Sequence, residues 1–183
     1  MKTLLLGVFL SVFVFFTNAW AQTQTQYDIH PVVQEIVAQS NAPSGVVFDI
    51  ETLESGVLPQ LLPFVKHQIQ LIRQRFPDVD VAVVSHGTEQ FALQKKASVN
   101  NTLLHQTFSS LVSDEEVSLH VCGAVAGLKG LSQEDFADFV EVSASGLAQI
   151  NDYKALGFIV IPIKQLTSKE RKALFDEPQK YLP

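Results

Sequence analysis

GVVFDIETLESGVLPQLLPFVKHQIQLIRQRFPDVDVAVVS, residues 45–85, holds the pattern that decides the fold. It opens with the apolar run Gly45 to Ile50, bounded by turn residues, which reads as a buried strand. Leu58, Leu61, Leu62, Val65, Ile69, Ile72 and Phe76 follow at spacings of three and four, one apolar stripe of a helix that stops at Phe76-Pro77. Pro59 suits a first turn, and Pro63 either delays the helix start or kinks it. Val79 to Ser85 is a second apolar strand. A strand, a helix and a strand with apolar residues on both faces make a βαβ unit, whose strands run parallel.

The rhythm continues downstream. Val117 to Val121, Phe139 to Val142 and Phe158 to Ile163 read as further strands. Leu103 to Val112 marks a second helix. Ser132-Gln-Glu-Asp135 has the capping hydroxyl and first-turn acids of a helix start. Ser145 to Leu156 is a helix closed by Gly157, and Ser168 to Phe175 a short polar one. The expectation is one three-layer α/β/α domain over residues 45–183, with a mostly parallel sheet of about five strands whose order the pattern does not give. Ahead of it, Gln22 to Gln26 is a polar linker. Tyr27 to Ser44 is a lead-in in which Pro31 to Val37 forms a short helix or an edge segment.

The first 21 residues have the form of an export signal. Lys2 supplies the positive start, Leu4 to Phe16 is almost unbroken apolar chain, and Ala19-Trp20-Ala21 is a small-x-small cleavage pattern. That predicts a periplasmic protein with no membrane anchor after cleavage, since no later segment is long and apolar enough to span a bilayer. The full chain carries a net charge of −6, which becomes −7 once Lys2 is removed. An acidic chain without a Lys/Arg cluster is a poor partner for nucleic acid or an anionic membrane surface.

Ligands of open parallel sheets gather at the carboxyl ends of the strands. Those ends carry Asp49 and Glu51, Ser85-His86-Gly87-Thr88, Cys122-Gly123, and Ser143-Ala-Ser-Gly146. Cys122 is the only cysteine, so no disulfide can form within one chain. At a strand-to-helix turn its thiol meets unpaired backbone N–H groups, which favour the reactive thiolate. If the second and third strands are neighbours, His86 and Cys122 come within hydrogen-bond reach, and His86 could take the thiol proton. A lone cysteine is otherwise a small buried hydrophobe, and His86 a loop bridge. His120, inside the strand, reads as structural. No metal site is expected, because the histidines are evenly scattered. No G-x-S-x-G, G-x-G-x-x-G or Walker pattern occurs, and no cofactor is expected.

Val83-Val-Ser-His-Gly87, Val121-Cys-Gly123 with Gly130, and Val140-Glu-Val-Ser-Ala-Ser-Gly146 leading to Gly157-Phe158 resemble the DsrE/DsrF-like proteins of sulfur metabolism, related to the TusD-type relay subunits. The resemblance spans about Gly45 to Ile163. It implies that Cys122 accepts sulfane sulfur as a persulfide and passes it on, with a sulfur donor or acceptor protein or a small sulfur compound as partner. It also implies a homo-oligomer around an α/β/α core. Export and Gly123 depart from the relay subunits' pattern. On this reading Cys122 and His86 do the chemistry, and Gly87, Gly123, Ser143 and Ser145 line the site. The alternative is a non-catalytic binding or assembly module in which Cys122 is merely packed. The apolar residues of the lead-in, Val32, Val33, Ile36 and Val37, together with one sheet-covering helix, are the expected oligomer contact.

Overall fold

The computed structural model describes residues 27–183; the expected leader and the Gln22 to Gln26 stretch lie outside the described residues. Strands β1 (Gly45–Ile50), β2 (Asp80–Ser85), β3 (Ser118–Cys122), β4 (Glu141–Ser143) and β5 (Ile159–Lys164) form one sheet in the order β4-β3-β2-β1-β5. Every pairing is parallel. The helices are α1 (Pro31–Val37), α2 (Leu58–Arg75), α3 (Thr102–Ser113), α4 (Gly123–Gly127), α5 (Gly146–Ala155), α6 (Ser168–Asp176) and α7 (Pro178–Tyr181). The expected three-layer α/β/α architecture is the one formed.

Side-chain alternation builds the layers. Val46, Phe48 and Ile50 of β1, with Val81 and Val83 of β2, share a core with Leu62, Val65 and Ile69 of α2 and Phe108 of α3. Val47, Ala82 and Val84 point the other way and pack with Ile150 and Tyr153 of α5. Both faces of each strand are therefore apolar, as strands covered on two sides require. α2 runs unbroken through Pro63, with Pro59 in its first turn, so Pro63 does not delay the start. α5 ends before Gly157, whose φ of +85° is the left-handed conformation expected of a helix-stopping glycine.

Two elements differ from expectation. Ser132 does begin a capped turn, but it is a single turn over Gln133–Asp135, because Phe136, next in line, is drawn fully into the core. The lead-in is not separate from the domain. Val33 and Ile36 of α1 are buried in the α2-side core. His30 accepts from Val32 N at Nδ1 (3.2 Å), so Nε2 carries the proton and donates to Pro162 O (3.0 Å). Buried Gln68 of α2 accepts from His30 N and donates to Asp28 O, each at 3.0 Å. Of the apolar residues expected at an oligomer contact, Val33 and Ile36 are thus spent on the chain's own core, and Val32 and Val37 are half-buried against it.

From β1 to β4 the chain steps steadily across the sheet, then returns to place β5 on the far side of β1. The order reverses between β1 and β5, and the carboxyl edge there is where the fold opens a crevice.

Candidate functional site

The carboxyl edge assembles from loops that follow adjacent strands. β2 and β3 are neighbours, with Ser85 opposite Val121, so His86 follows β2 beside the end of β3. Its ring turns the other way, toward β1. Nε2 donates to Asp49 Oδ1 at 2.6 Å, and Nδ1 lies 3.5 Å from Glu51 Oε1. The expected hydrogen bond between His86 and Cys122 is not made, because the carboxyl oxygen of Asp49 is a stronger acceptor than a thiol sulfur. The start of α5 presses on the ring, and a Cβ at Gly146 would lie 2.2 Å from His86 Cβ. Glu51 is gripped in turn by Arg171 of α6, Nε to Oε1 at 2.6 Å and Nη2 to Oε2. Asp49, His86, Glu51 and Arg171 form one chain of polar contacts that ties β1 and the β2 loop to α6.

Cys122 closes β3 and is 4 % exposed, packed with Phe91, Val125 and Leu174 of α6 and rimmed by Tyr181 and Leu182. It occupies the cap position of α4, yet the thiol accepts no hydrogen bond from that turn. The missing hydrogen bond has a structural reason. α4 is a single short turn, and Ala124 N is already spent on Ala144 O at 3.1 Å. Gln90, wholly buried, holds the cysteine backbone from both sides: its Oε1 accepts from Cys122 N (2.7 Å) and its Nε2 donates to Cys122 O (3.2 Å).

The other expected lining residues come to the same edge without touching the thiol by hydrogen bond. Gly123 sits so close to the β4 loop that a Cβ there would lie 2.9 Å from Ser143 O. Ser143 Oγ donates to Gln149 Oε1 (2.9 Å) and accepts from His120 Nδ1 (3.2 Å), which leaves His120 Nε2 to accept from Tyr153 OH (2.8 Å). Burial pushes the His120 imidazole below its ordinary pKa, against the smaller upward pull of Glu141, consistent with a structural role in the strand. Ser145 is the residue before α5, with its carbonyl accepting from Gln149 N at 3.0 Å. Gly87 N donates to Glu89 Oε1 at 3.0 Å.

Glu89 was not legible beforehand. It lies in a fully buried 3-10 stretch, Thr88–Leu93, that shows neither helical nor strand period. Its carboxyl accepts from Ser85 Oγ (2.8 Å), Gly87 N (3.0 Å) and Thr52 N (3.0 Å). Those donors favour the charged form, but complete burial outweighs them and raises the carboxyl to about 7. Arg171, Gln90 and Glu89 are the members of this edge that no local pattern marks, since each owes its place to a contact across the fold.

At the order reversal between β1 and β5 lies a cavity of about 320 Å³ lined by Glu51, Glu54, Lys164 and Glu170 among others. Its acids are all answered: Glu51 by Arg171, Glu54 by Lys164 Nζ at 2.9 Å, and Glu170 by the Thr167 cap. Among the described residues, no three or more His, Cys, Asp or Glu side chains gather as a metal site would need. None of the helices there is long and apolar enough to cross a membrane.

A family model described as DsrE/DsrF-like matches residues 11–162. A solved structure of a protein of unknown function from Methanobacterium thermoautotrophicum superposes with a TM-score of 0.50 at 19 % identity, covering 64 % of this chain and 96 % of that one. Likeness at that identity speaks for the fold alone. No curated protein matches the chain. With the family match running over most of its length, and with five parallel strands between helical layers, the chain belongs to the DsrE/DsrF-like family, which is associated with sulfur relay.

Proposed function

We propose that this chain carries or transfers sulfane sulfur as a persulfide on Cys122, in the periplasm. One observation carries the reading: in a sulfur-relay family, the only thiol closes β3 on the edge where the loops of β1 to β4 meet. The step is an exchange without net oxidation. The Cys122 thiolate attacks the outer sulfur of a donor R–S–SH, a Cys122 S–S bond forms as the donor S–S bond breaks, and R–S⁻ leaves. Gln90 holds the cysteine backbone still during the exchange. Phe91, Val125 and Leu174 keep water and oxidants from a thiol exported to an oxidising compartment. His86 acts as a positioning residue through Asp49 and Glu51, while Gly87, Gly123, Ser143 and Ser145 set how closely the loops approach. The donor or acceptor is a partner protein or a small sulfur compound. Export rests on the sequence of residues 1–21.

The reading requires α6 and α7 to lift, because Cys122 is buried in a cluster that includes Leu174 of α6. Truncating Leu174 to Ala removes packing worth about 2–5 kcal/mol at a buried site. Alkylation of Cys122 in the native protein is expected to be slow, and in Leu174→Ala faster by about tenfold or more, since every 1.4 kcal/mol is tenfold in an opening equilibrium. Equal rates would mean that α6 does not guard the thiol. Recovery of reducible sulfur from the native chain after exposure to a persulfide donor, with none from Cys122→Ser, tests the function itself.

Burial of Cys122 also favours a second reading, a non-catalytic binding module with a packed cysteine. It requires Cys122→Ser to leave partner binding intact and the Cys122 thiol to take up no sulfur from a persulfide donor. Self-association belongs to the first reading. Its contact is not the lead-in but the start of α3, where Val99 and Leu103 are 83 % and 76 % exposed. Light scattering at micromolar concentration should give a mass above one chain; a clean monomer ends the idea.

A further inference from the structure

The arm that follows β5 is joined to the domain by few contacts. In α6 only Leu174 is buried, and in α7 no residue is. Leu174, with Tyr181 and Leu182 at the rim, packs in the small cluster that holds Cys122, Phe91 and Val125, apart from the main core. Segments with so little buried apolar surface open at a lower free energy than the core beside them. Among the described residues, two polar side-chain contacts tie α6, α7 and the residues after them to the body. One, from Lys129 Nζ to the Pro183 oxygen, is exposed. The other is the Arg171–Glu51 ion pair, three residues before Leu174 and so on the same helix face.

That pair differs in kind from the lysine pairs. Glu51 is 3 % exposed and meets the guanidinium through both oxygens. Lys95–Asp138, Lys164–Glu54, Lys172–Asp176 and Lys180–Glu177 are all exposed. Exposed pairs contribute little, while a two-point guanidinium bond to a buried carboxyl is strong and directional. Glu51 also accepts from Leu166 N of the linker into α6 (3.4 Å) and faces His86 Nδ1 at 3.5 Å. One carboxyl just past β1 therefore holds the root of the arm, its first helix and the β2 loop.

We propose that Arg171 and Glu51 form a latch that sets access to Cys122. While the pair is made, the arm keeps Leu174 in the thiol's cluster. When it parts, the arm swings on the linker of residues 165–167 and the thiol opens to solvent. The latch governs access whatever the thiol does next; its use in admitting a sulfur donor rests on the sulfur-carrying reading of Cys122.

Alkylation of Cys122 by iodoacetamide in the full chain tests the latch. Arg171→Gln is expected to label about tenfold or more faster than the native chain, as loss of a hydrogen bond between charged groups implies. Arg171→Lys, which keeps the charge without the fork, falls between. Lys172→Gln removes the neighbouring charge, which reaches only Asp176, and labels at the native rate. Repeating the Arg171→Gln measurement in urea well below its unfolding midpoint separates local opening from global weakening. Opening of an arm exposes little surface, so the rate should hardly change, whereas labelling through global unfolding rises with the full slope. A native rate in Arg171→Gln, an equal rise in Lys172→Gln, or labelling that tracks global unfolding overturns the latch. Failure of the sulfur reading has a different signature: Arg171→Gln labels fast, yet its thiol gains no sulfur from a persulfide donor.

Discussion

Gly87→Ala is expected to cost about 4 kcal/mol of stability, a large part of what a domain of this size possesses. A Cβ at Gly87 would lie 2.2 Å from Thr52 O, 2.4 Å from Thr52 N and 2.5 Å from Glu89 Oε2. Two of those atoms are backbone and cannot swing aside. The loop that carries them is tied on both sides, by Thr88 N to Thr52 O at 2.7 Å and Thr52 N to Glu89 Oε2 at 3.0 Å. Retreat of the loop breaks those bonds, so overpacking of about 1–3 kcal/mol adds to the loss of a buried hydrogen bond to an acid, about 1.5–3 kcal/mol. Gly56→Ala is the control, because a Cβ there meets nothing within 4 Å. Denaturant midpoints measure both. A Gly87→Ala loss under about 1 kcal/mol would mean the loop is softer than its hydrogen bonds imply.

The second large effect is a dependence of stability on pH set by Glu89. Its carboxyl is raised from 4.5 to about 7 by burial, so folding favours the protonated form. The contribution is complete below the unfolded pKa and disappears as pH rises through about 7. Stability should therefore fall by about 3 kcal/mol between about pH 4.5 and pH 8 on account of this residue. His120 acts with the opposite sign, because its lowered pKa costs stability as pH falls below its ordinary range. The difference between the native chain and Glu89→Gln isolates Glu89. Gln keeps an oxygen for Ser85 Oγ and Gly87 N, has no charge to desolvate, and should flatten the fall. Parallel curves for the two proteins would place the titration elsewhere.

How far the sequence reached can be seen in particular residues. Gly45 to Ile50 appears as β1 with the expected bounds, because an apolar run between turn residues leaves the backbone one favourable arrangement. The α2 stripe and the Gly157 stop are equally local signals. Strand order was not legible, since β5 joins β1 across more than a hundred residues and nothing in either run names its neighbour. The residues expected at the strand ends lie there, while their bonding was not legible. His86 follows β2 and Cys122 ends the neighbouring β3, but Asp49 offers the imidazole a carboxyl oxygen where Cys122 offers only a thiol. Arg171 reaches Glu51 from 120 residues away, and Ser168 to Phe175 read as a plain polar helix because its inward residue, Leu174, is one among many charges. The cluster that buries the thiol is thus a product of packing alone.

The account turns on whether Cys122 accepts sulfur. Intact-mass measurement of the native chain after incubation with a small persulfide donor, repeated on Leu174→Ala and Cys122→Ser, asks this directly. The account predicts a mass gain of one sulfur atom, reversed by reductant, in the native chain, faster in Leu174→Ala and absent in Cys122→Ser. No gain in Leu174→Ala, with its thiol shown free by subsequent alkylation, would contradict it.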